Sequence, residues 1–313
     1  MKTAFLFPGQ GSQYVGMGKS LVEKFPAARA IFNQADDALG FSLSQVCFDG
    51  PAETLQLTEN MQPALLTVSV AAWRVLDEQG LQPDLVAGHS LGEYSALVAA
   101  GSLDFSDAVR LVRKRGQYMQ EAVPVGVGAM AALLKLPAEA LDSILAQASQ
   151  DDAQAEIVTA ANFNSPDQIV LAGHTNAVTR AVELAKAAGA RRAIMLSVSA
   201  PFHCPLMEPA QQRMKPELDA TEFRDLNVPL VNGWNAQVIR TGAEAREGLY
   251  QQIPNSVRWT EVIQKLTSLG VGRFIEVGAG SVLTGLLRNI DRGLEASKFG
   301  EAEDLEKVYA AIA

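Results

Sequence analysis

The sequence contains only two cysteine residues, Cys47 and Cys204, and only three histidine residues among its 313 residues. Two cysteines cannot build a disulfide framework for a chain of this length, and such scarcity is typical of a reducing compartment. Neither a His-Glu-x-x-His sequence nor a cluster of cysteine and histidine residues occurs. We therefore expect neither a disulfide scaffold nor a bound metal.

The sequence also lacks long apolar runs and an excess of basic charge. No uncharged apolar run reaches the roughly 18 residues that cross a membrane, and the N-terminal run ends at Pro8, too early for the core of a signal peptide. The formal net charge of −9 argues against a general nucleic-acid binder, which needs a basic surface. We expect a cytoplasmic protein without nucleic-acid or membrane partners, and nothing in the sequence requires more than a monomer.

Two glycine-rich segments each miss a glycine that phosphate binding needs. In GQGSQYVGMGKS, residues 9–20, the dinucleotide fingerprint has Tyr14 in place of its last glycine. A Walker A loop ending at Ser20 has Gln13 in place of its first glycine. The segment GAGSVL, residues 278–283, lacks its third glycine. Because the missing side chain is what lets backbone approach a phosphate, nucleotide binding through these loops is not expected, and no cofactor is predicted.

Strand-like and helix-like patterns alternate over most of the chain. Apolar runs that end in turn residues predict strands at 3–7, 84–87 and 273–277. Helical periodicity predicts helices at 16–39, 61–79, 91–100, 104–122, 207–219 and 281–289. This alternation is typical of an α/β fold with a mostly parallel sheet.

A different order of elements occupies the middle of the chain. Residues 126–198 predict a strand, a helix, two strands around an Asn-Ser-Pro-Asp turn, a second helix and a final strand. The order βαββαβ is that of a ferredoxin-like unit. We therefore assign 126–198 to an inserted subdomain, and 1–125 and 199–313 to a larger domain.

The segment Gly88-His89-Ser90-Leu91-Gly92 stands between a predicted strand and a predicted helix. This context is that of a nucleophile elbow, in which glycines two residues either side of a serine let the strand and the helix approach closely. The N–H of Leu91 would then lie at the helix N-terminus, where negative charge is stabilised. The alternative is a glycine-flanked turn with a capping serine. We favour Ser90 as a nucleophile.

A nucleophilic serine needs a base within hydrogen-bond reach. His89 is adjacent to Ser90, so its side chain should point elsewhere, and His174 lies at a strand end in the subdomain. His203 remains as the best candidate by elimination. No convincing acidic third member of a triad is found: Asp167 lies in a turn and Asp151 and Asp152 in a loop. A dyad with the histidine oriented by a backbone carbonyl is a reasonable alternative.

Arg115 falls between two apolar lines of the predicted helix 104–122. A guanidinium on a buried face must find an anion or lose much hydration energy. It can snorkel, form an internal ion pair, or act as a fork for a substrate carboxylate, and we favour the last.

Four motifs together resemble the bacterial malonyl-CoA:acyl-carrier-protein transacylases and the acyltransferase domains of fatty-acid and polyketide synthases. In chain order, from residue 1 to about 290, they are FPGQGSQ, GHSLGE, RGQYMQEAV and SAPFHCPLM. The resemblance implies an α/β-hydrolase-like large domain with the inserted subdomain inferred above. It implies a ping-pong transfer of malonyl from malonyl-CoA to the phosphopantetheine thiol of holo acyl carrier protein, which supplies fatty-acid synthesis.

The resemblance also implies roles for individual residues. Ser90 would carry the acyl group, His203 would be the base, and Arg115 would bind the malonyl carboxylate. The oxyanion hole would be formed by the backbone amides of Gln10 and Leu91. Three further residues match positions near the family's cleft, namely Asn162, Asn164 and Phe202. Phe202 favours malonyl over methylmalonyl because its ring leaves little room for an α-methyl group, although it can equally be a core side chain. The segment 254–259 resembles the family segment whose backbone carbonyl orients the histidine, but its sequence departs from the commoner sequence of that segment.

Three alternatives stay open. A serine esterase or thioesterase would need a triad acid and a lid, and the sequence shows neither. A malonyl-loading subunit of a polyketide pathway or a malonate decarboxylase would share the chemistry and differ in its acceptor. A non-catalytic carrier-protein binder would not need the three reactive residues. For an acidic carrier protein, Lys186, Arg191 and Arg192 are candidate docking residues, although an ordinary solvated helix end fits them as well.

Overall fold

The structure is a computed structural model that describes residues 1–149 and 156–312. Its described strands form two sheets. The main sheet contains β1 (Lys2–Phe7), β2 (Leu85–Gly88), β7 (Leu230–Val231), β8 (Val238–Ile239), β9 (Val271–Val277) and β10 (Glu295–Phe299). The small sheet contains β3 (Gly128–Leu134), β4 (Val158–Ser165), β5 (Gln168–His174) and β6 (Arg192–Met195).

The main sheet has the strand order β10-β9-β1-β2-β7-β8. All neighbours in it are parallel except β7 and β8. The small sheet is antiparallel with the order β4-β5-β3-β6, which is the arrangement of a ferredoxin-like unit. The predicted α/β fold with a small inserted subdomain is therefore confirmed. The domain boundaries at 125 and 199 stay a prediction.

Helices cover both faces of the main sheet and one face of the small sheet. They are α1 (Lys19–Lys24), α2 (Pro26–Leu39), α3 (Leu43–Asp49), α4 (Ala52–Gln56), α5 (Thr58–Glu78), α6 (Gly92–Ala99), α7 (Phe105–Glu121), α8 (Leu141–Ala148), α9 (Thr175–Ala187), α10 (Glu208–Asp219), α11 (Gly242–Gln251), α12 (Trp259–Ser268), α13 (Val282–Ile290) and α14 (Leu305–Ile312). In the described part of the chain, no helix is long and apolar enough to span a membrane.

The single helix predicted for 16–39 is wrong, because two helices occupy this segment. Phe25 is extended, with φ −121° and ψ 117°, and Pro26 begins α2. The proline ring disfavours the helical conformation at the residue before it, so α1 ends at Lys24. The strands β7, β8 and β10 were not predicted, since β7 and β8 are only two residues long and β10, with the sequence EASKF, lacks an apolar run.

The core of the large domain lies on both sides of the main sheet. The helix α5 is buried over most of its length and packs against α7 and α2. One face of the sheet buries Phe5 and Phe7 against these helices, whereas the other face buries Phe274 and Trp259 of α12. The small sheet has its own core beneath α8 and α9. This packing places the carboxyl ends of β1 and β2 beside the small sheet, where the cavity lies.

Candidate active site

Ser90 lies in the sharp turn between β2 and α6. It adopts the left-handed conformation, with φ 51°, which is unusual for a residue other than glycine. A Cβ atom on Gly88 would lie 2.0 Å from the backbone of Gly92, and one on Gly92 would lie 2.0 Å from the carbonyl oxygen of Phe7. Both positions therefore require glycine. The strand–turn–helix context predicted for this motif is present.

His203 lies beside Ser90 although 113 residues separate them in the chain. It belongs to the loop between β6 and α10 and also has a positive φ, 58°. Its Nε2 atom is 2.7 Å from Ser90 Oγ, and its Nδ1 atom is 2.9 Å from the backbone carbonyl oxygen of Gln252. Because a carbonyl oxygen only accepts, Nδ1 carries the proton and Nε2 is free to accept one from the serine.

The environment of His203 keeps its imidazole neutral. Burial and, as a smaller cause, the positive charge of Arg115 lower the pKa of His203 to about 3, whereas the backbone groups of Gln252 and Asn255 partly oppose the shift. A neutral imidazole is the form that can act as a general base.

No described carboxylate is bonded to His203. Asp167 lies in the turn between β4 and β5 with Lys135, 3.7 Å away, as its ion-pair partner. Asp151 and Asp152 lie outside the described residues. The Nδ1 atom of His203 donates to the carbonyl of Gln252, two residues before the segment 254–259. The backbone of Asn255, within that segment, also acts on the ring.

Arg115 is buried on α7, with 2% of its surface exposed. Its Nη1 atom donates to Gln62 Oε1 at 2.8 Å, and its Nη2 atom donates to Ser90 Oγ at 3.1 Å and to Gln252 Oε1 at 3.0 Å. Among the described residues no carboxylate forms a salt bridge with Arg115, and its Nε atom has no hydrogen-bond partner. A charged guanidinium with spare donors next to the serine hydroxyl suits a carboxylate ligand.

A cavity of about 380 Å³ opens over these groups. Every site residue predicted from the sequence lines it: Gln10, Ser90, Leu91, Arg115, Asn162, Asn164, Phe202 and His203. Leu91 is the N-cap residue of α6, and no acceptor for the backbone N–H of Gln10 or Leu91 occurs in the described part of the chain. Two free N–H groups beside a serine nucleophile are the donors that an oxyanion hole needs.

The other two histidines serve different contacts, as expected. The Nε2 atom of His89 is 2.8 Å from Asn164 Oδ1, and its ring packs edge-on against Trp259. His174 accepts a hydrogen bond from the backbone N–H of Ile157. The pair of His89 and Asn164 joins the serine turn to β4 of the small sheet.

Three buried polar residues at the site escaped the sequence analysis. Gln62 and Gln252 both accept from Arg115, and Glu93 accepts from Gln252 behind the serine turn. A signal existed for Gln62 and Glu93, because each is a polar side chain in an otherwise apolar helical segment. Gln252 stands in a polar segment, so no local pattern indicates its burial.

Comparison with known proteins identifies the family of this chain. The sequence model of the acyl transferase domain family matches residues 4–307. The chain is therefore an acyltransferase. The malonyl CoA-acyl carrier protein transacylase of Bacillus subtilis strain 168 is 50% identical over 305 residues, which cover 97% of this chain and 95% of the relative. The transacylase of the same name from Escherichia coli K12 is 48% identical over 299 residues, 95% of this chain and 96% of the relative. The chain belongs to the family of malonyl CoA-acyl carrier protein transacylases.

Solved structures show the same fold over the whole length. The acyl carrier protein S-malonyltransferase of Vibrio cholerae is 45% identical and superimposes with a TM-score of 0.95, covering 98% of this chain and 100% of that one. A malonyl-transacylase in complex with its type II polyketide acyl-carrier protein is also 45% identical, with a TM-score of 0.94 and 98% coverage of both chains.

Proposed function

We propose that this protein transfers a malonyl group from malonyl-CoA to the phosphopantetheine thiol of holo acyl carrier protein and so supplies fatty-acid synthesis. The observation that carries the proposal is the convergence on Ser90 Oγ of two groups, the Nε2 atom of His203 at 2.7 Å and the guanidinium of Arg115 at 3.1 Å. The first activates the hydroxyl, and the second provides a positive charge for an acyl group that ends in a carboxylate.

The first half of the reaction loads the enzyme. Ser90 Oγ attacks the thioester carbonyl carbon while its proton passes to His203 Nε2. The N–H groups of Gln10 and Leu91 stabilise the resulting oxyanion. The C–S bond then breaks, His203 returns the proton to the sulfur, and coenzyme A leaves with its thiol restored. The thioester itself activates the acyl group, so the reaction needs no cofactor.

The second half runs in the opposite sense with a different thiol. The phosphopantetheine thiol gives its proton to His203, and its sulfur attacks the malonyl ester. The ester bond breaks, and Ser90 recovers the proton. Pairing of the malonyl carboxylate with Arg115 would hold the acyl group in place and exclude water between the two halves.

The relatives named for acyl carrier protein support such a partner. We infer that the carrier docks beside β6, where Arg191 and Arg192 are exposed next to the exposed apolar side chains of Ile194 and Met195. The chain continues from β6 into the cavity wall at 196–198. The monomeric state stays a prediction, and so does the cytoplasmic location, with which the two free, buried cysteines are consistent.

Intact-mass spectrometry tests the proposed reaction. Wild-type protein mixed with malonyl-CoA should gain one malonyl group and lose it to added holo acyl carrier protein, and Ser90→Ala should gain none. An adduct that decays only to free malonate would instead favour a thioesterase. Absence of any adduct on the wild type would refute the proposal.

A further inference from the structure

Glu93 is a buried carboxylate directly behind the reactive serine. It lies in the first turn of α6, three residues after Ser90, and its side chain has no exposed surface. A glutamate in the first turn of a helix is stabilised by the dipole of that helix. Here the Oε2 atom accepts from two groups of other elements, the backbone N–H of Gly233 at 3.0 Å and Nε2 of Gln252 at 2.9 Å.

The side-chain amide of Gln252 uses all of its polar atoms. Its Nε2 atom donates to Glu93 and also to the backbone carbonyl oxygen of Ser90, at 3.1 Å, and its Oε1 atom accepts from Arg115 at 3.0 Å. Glu93 at one end and Arg115 at the other therefore allow a single orientation of the amide. If the amide flipped, two donors would face each other at Arg115, and two acceptors would face each other at Glu93.

The same residue also holds the base. The backbone carbonyl of Gln252 accepts from Nδ1 of His203, so one residue links Glu93 to both groups that converge on the serine. We propose that Glu93 is a positioning residue for malonyl transfer, which acts through Gln252 to hold Arg115 and His203 in their places beside Ser90 and which, when ionised, balances the positive charge of Arg115.

A glutamine between Glu93 and Arg115 has a consequence for binding of the acyl group. A carboxylate bonded directly to Arg115 would occupy the guanidinium and compete with the carboxylate of the acyl group. With the amide of Gln252 between them, Glu93 compensates the buried cation and leaves donors of Arg115 free. Burial raises the pKa of Glu93, and the hydrogen bonds from Gly233 and Gln252 and the charge of Arg115 oppose this rise, which leaves the pKa at about 7. Glu93 therefore compensates Arg115 fully only above this pH.

The chain offers a matched control in Glu276. This glutamate has no exposed surface either, and it accepts from two backbone N–H groups, those of Leu283 and Thr284, at 3.0 and 2.7 Å. It does not line the cavity. Glu276→Gln therefore reports what loss of a buried carboxylate does to the fold alone.

The test compares Glu93→Gln, Glu276→Gln and wild type by thermal unfolding and by rapid-quench mass spectrometry of Ser90 acylation. Malonyl-CoA and acetyl-CoA are varied in concentration, so that the maximal rate constant is separated from half-saturation. Glu93→Gln should lower the maximal rate constant with malonyl-CoA roughly 10- to 100-fold and reduce the preference for malonyl over acetyl. Glu276→Gln should change the unfolding temperature and leave both quantities as in wild type.

Three results would overturn the role of Glu93: wild-type rate and preference in Glu93→Gln, an equal loss with both thioesters, or the same loss in Glu276→Gln. If Glu93→Gln does not fold, the double variant Glu93→Gln/Gln252→Glu keeps one buried carboxylate but moves it onto Arg115. This variant should lose the malonyl preference, and retention of that preference would equally refute the role.

The role of Glu93 rests on the proposed malonyl transfer. If wild type forms no malonyl adduct, both the malonyl transfer and the role of Glu93 are refuted. If wild type is acylated normally and Glu93→Gln is unaffected, only the role of Glu93 is refuted.

Discussion

The Nδ1 atom of His203 donates to the backbone carbonyl oxygen of Gln252 over 2.9 Å, where a serine hydrolase with a triad has a carboxylate. A neutral carbonyl fixes the tautomer and the orientation of the ring, but it stabilises an imidazolium less than a carboxylate does. A base of this kind suits the proposed transfer, because a thiol is a better acceptor than water and the acyl-enzyme must survive until the carrier protein arrives.

The charge state of His203 can be measured directly. With its pKa lowered to about 3 by burial and by Arg115, the imidazole should stay neutral as the pH falls from 8 to 5, where an exposed histidine takes up its proton near 6.5. Nitrogen NMR of labelled protein should show unchanged His203 resonances over this range. In Arg115→Gln the pKa should rise but stay below 6.5, since burial is the larger cause. Titration near 6.5 in the wild type would contradict the geometry of the site.

Arg115→Gln tests the selectivity for a carboxylate. Loss of one partner of a buried charge pair costs about 2–5 kcal/mol, so acylation by malonyl-CoA should fall by roughly 30-fold or more, and acylation by acetyl-CoA should fall less. The control is Arg113→Gln on the same helix, because Arg113 donates to Asn60 and does not line the cavity. A malonyl preference that persists in Arg115→Gln would remove Arg115 from the binding site.

Phe202→Ala tests whether the ring excludes an α-methyl group. Phe202 lines the cavity next to His203, and one methyl group in such a pocket is worth about 1–3 kcal/mol. The ratio of acylation by methylmalonyl-CoA to that by malonyl-CoA should rise about tenfold. Phe163→Ala is the control, since Phe163 belongs to β4 but packs into the core of the small sheet. An unchanged ratio in Phe202→Ala would leave this ring a core side chain.

Charge reversal tests the docking surface. Changing Lys186, Arg191 and Arg192 to glutamate should slow transfer to the carrier protein and weaken its dependence on salt, while acylation by malonyl-CoA stays unchanged. Lys2, Arg224 and Arg240 are exposed and lie toward the amino ends of the main strands, so the same changes there serve as the control. Equal transfer rates and salt dependence in both triple variants would exclude the proposed surface.

Much of this protein follows from local patterns in its sequence. The glycines around Ser90 predict the turn, because no other residue permits the close approach of β2, α6 and β1. The alternation of strands and helices predicts the parallel sheet, and the order βαββαβ predicts the small one. Motif spacing and family resemblance selected eight residues that the structure places around one cavity. Their chemical roles stay predictions.

Tertiary structure alone decided how those residues are held. The carbonyl that orients His203 belongs to Gln252, 49 residues further along the chain, and the carboxylate of Glu93 meets that glutamine across 159 residues. The periodicity of apolar residues predicts which face of a helix is buried, but it does not predict which distant polar group lies opposite that face. Hydrogen bonds between elements so far apart in sequence exist only after both sheets have packed, and for that reason the network behind the serine appears only in the folded chain.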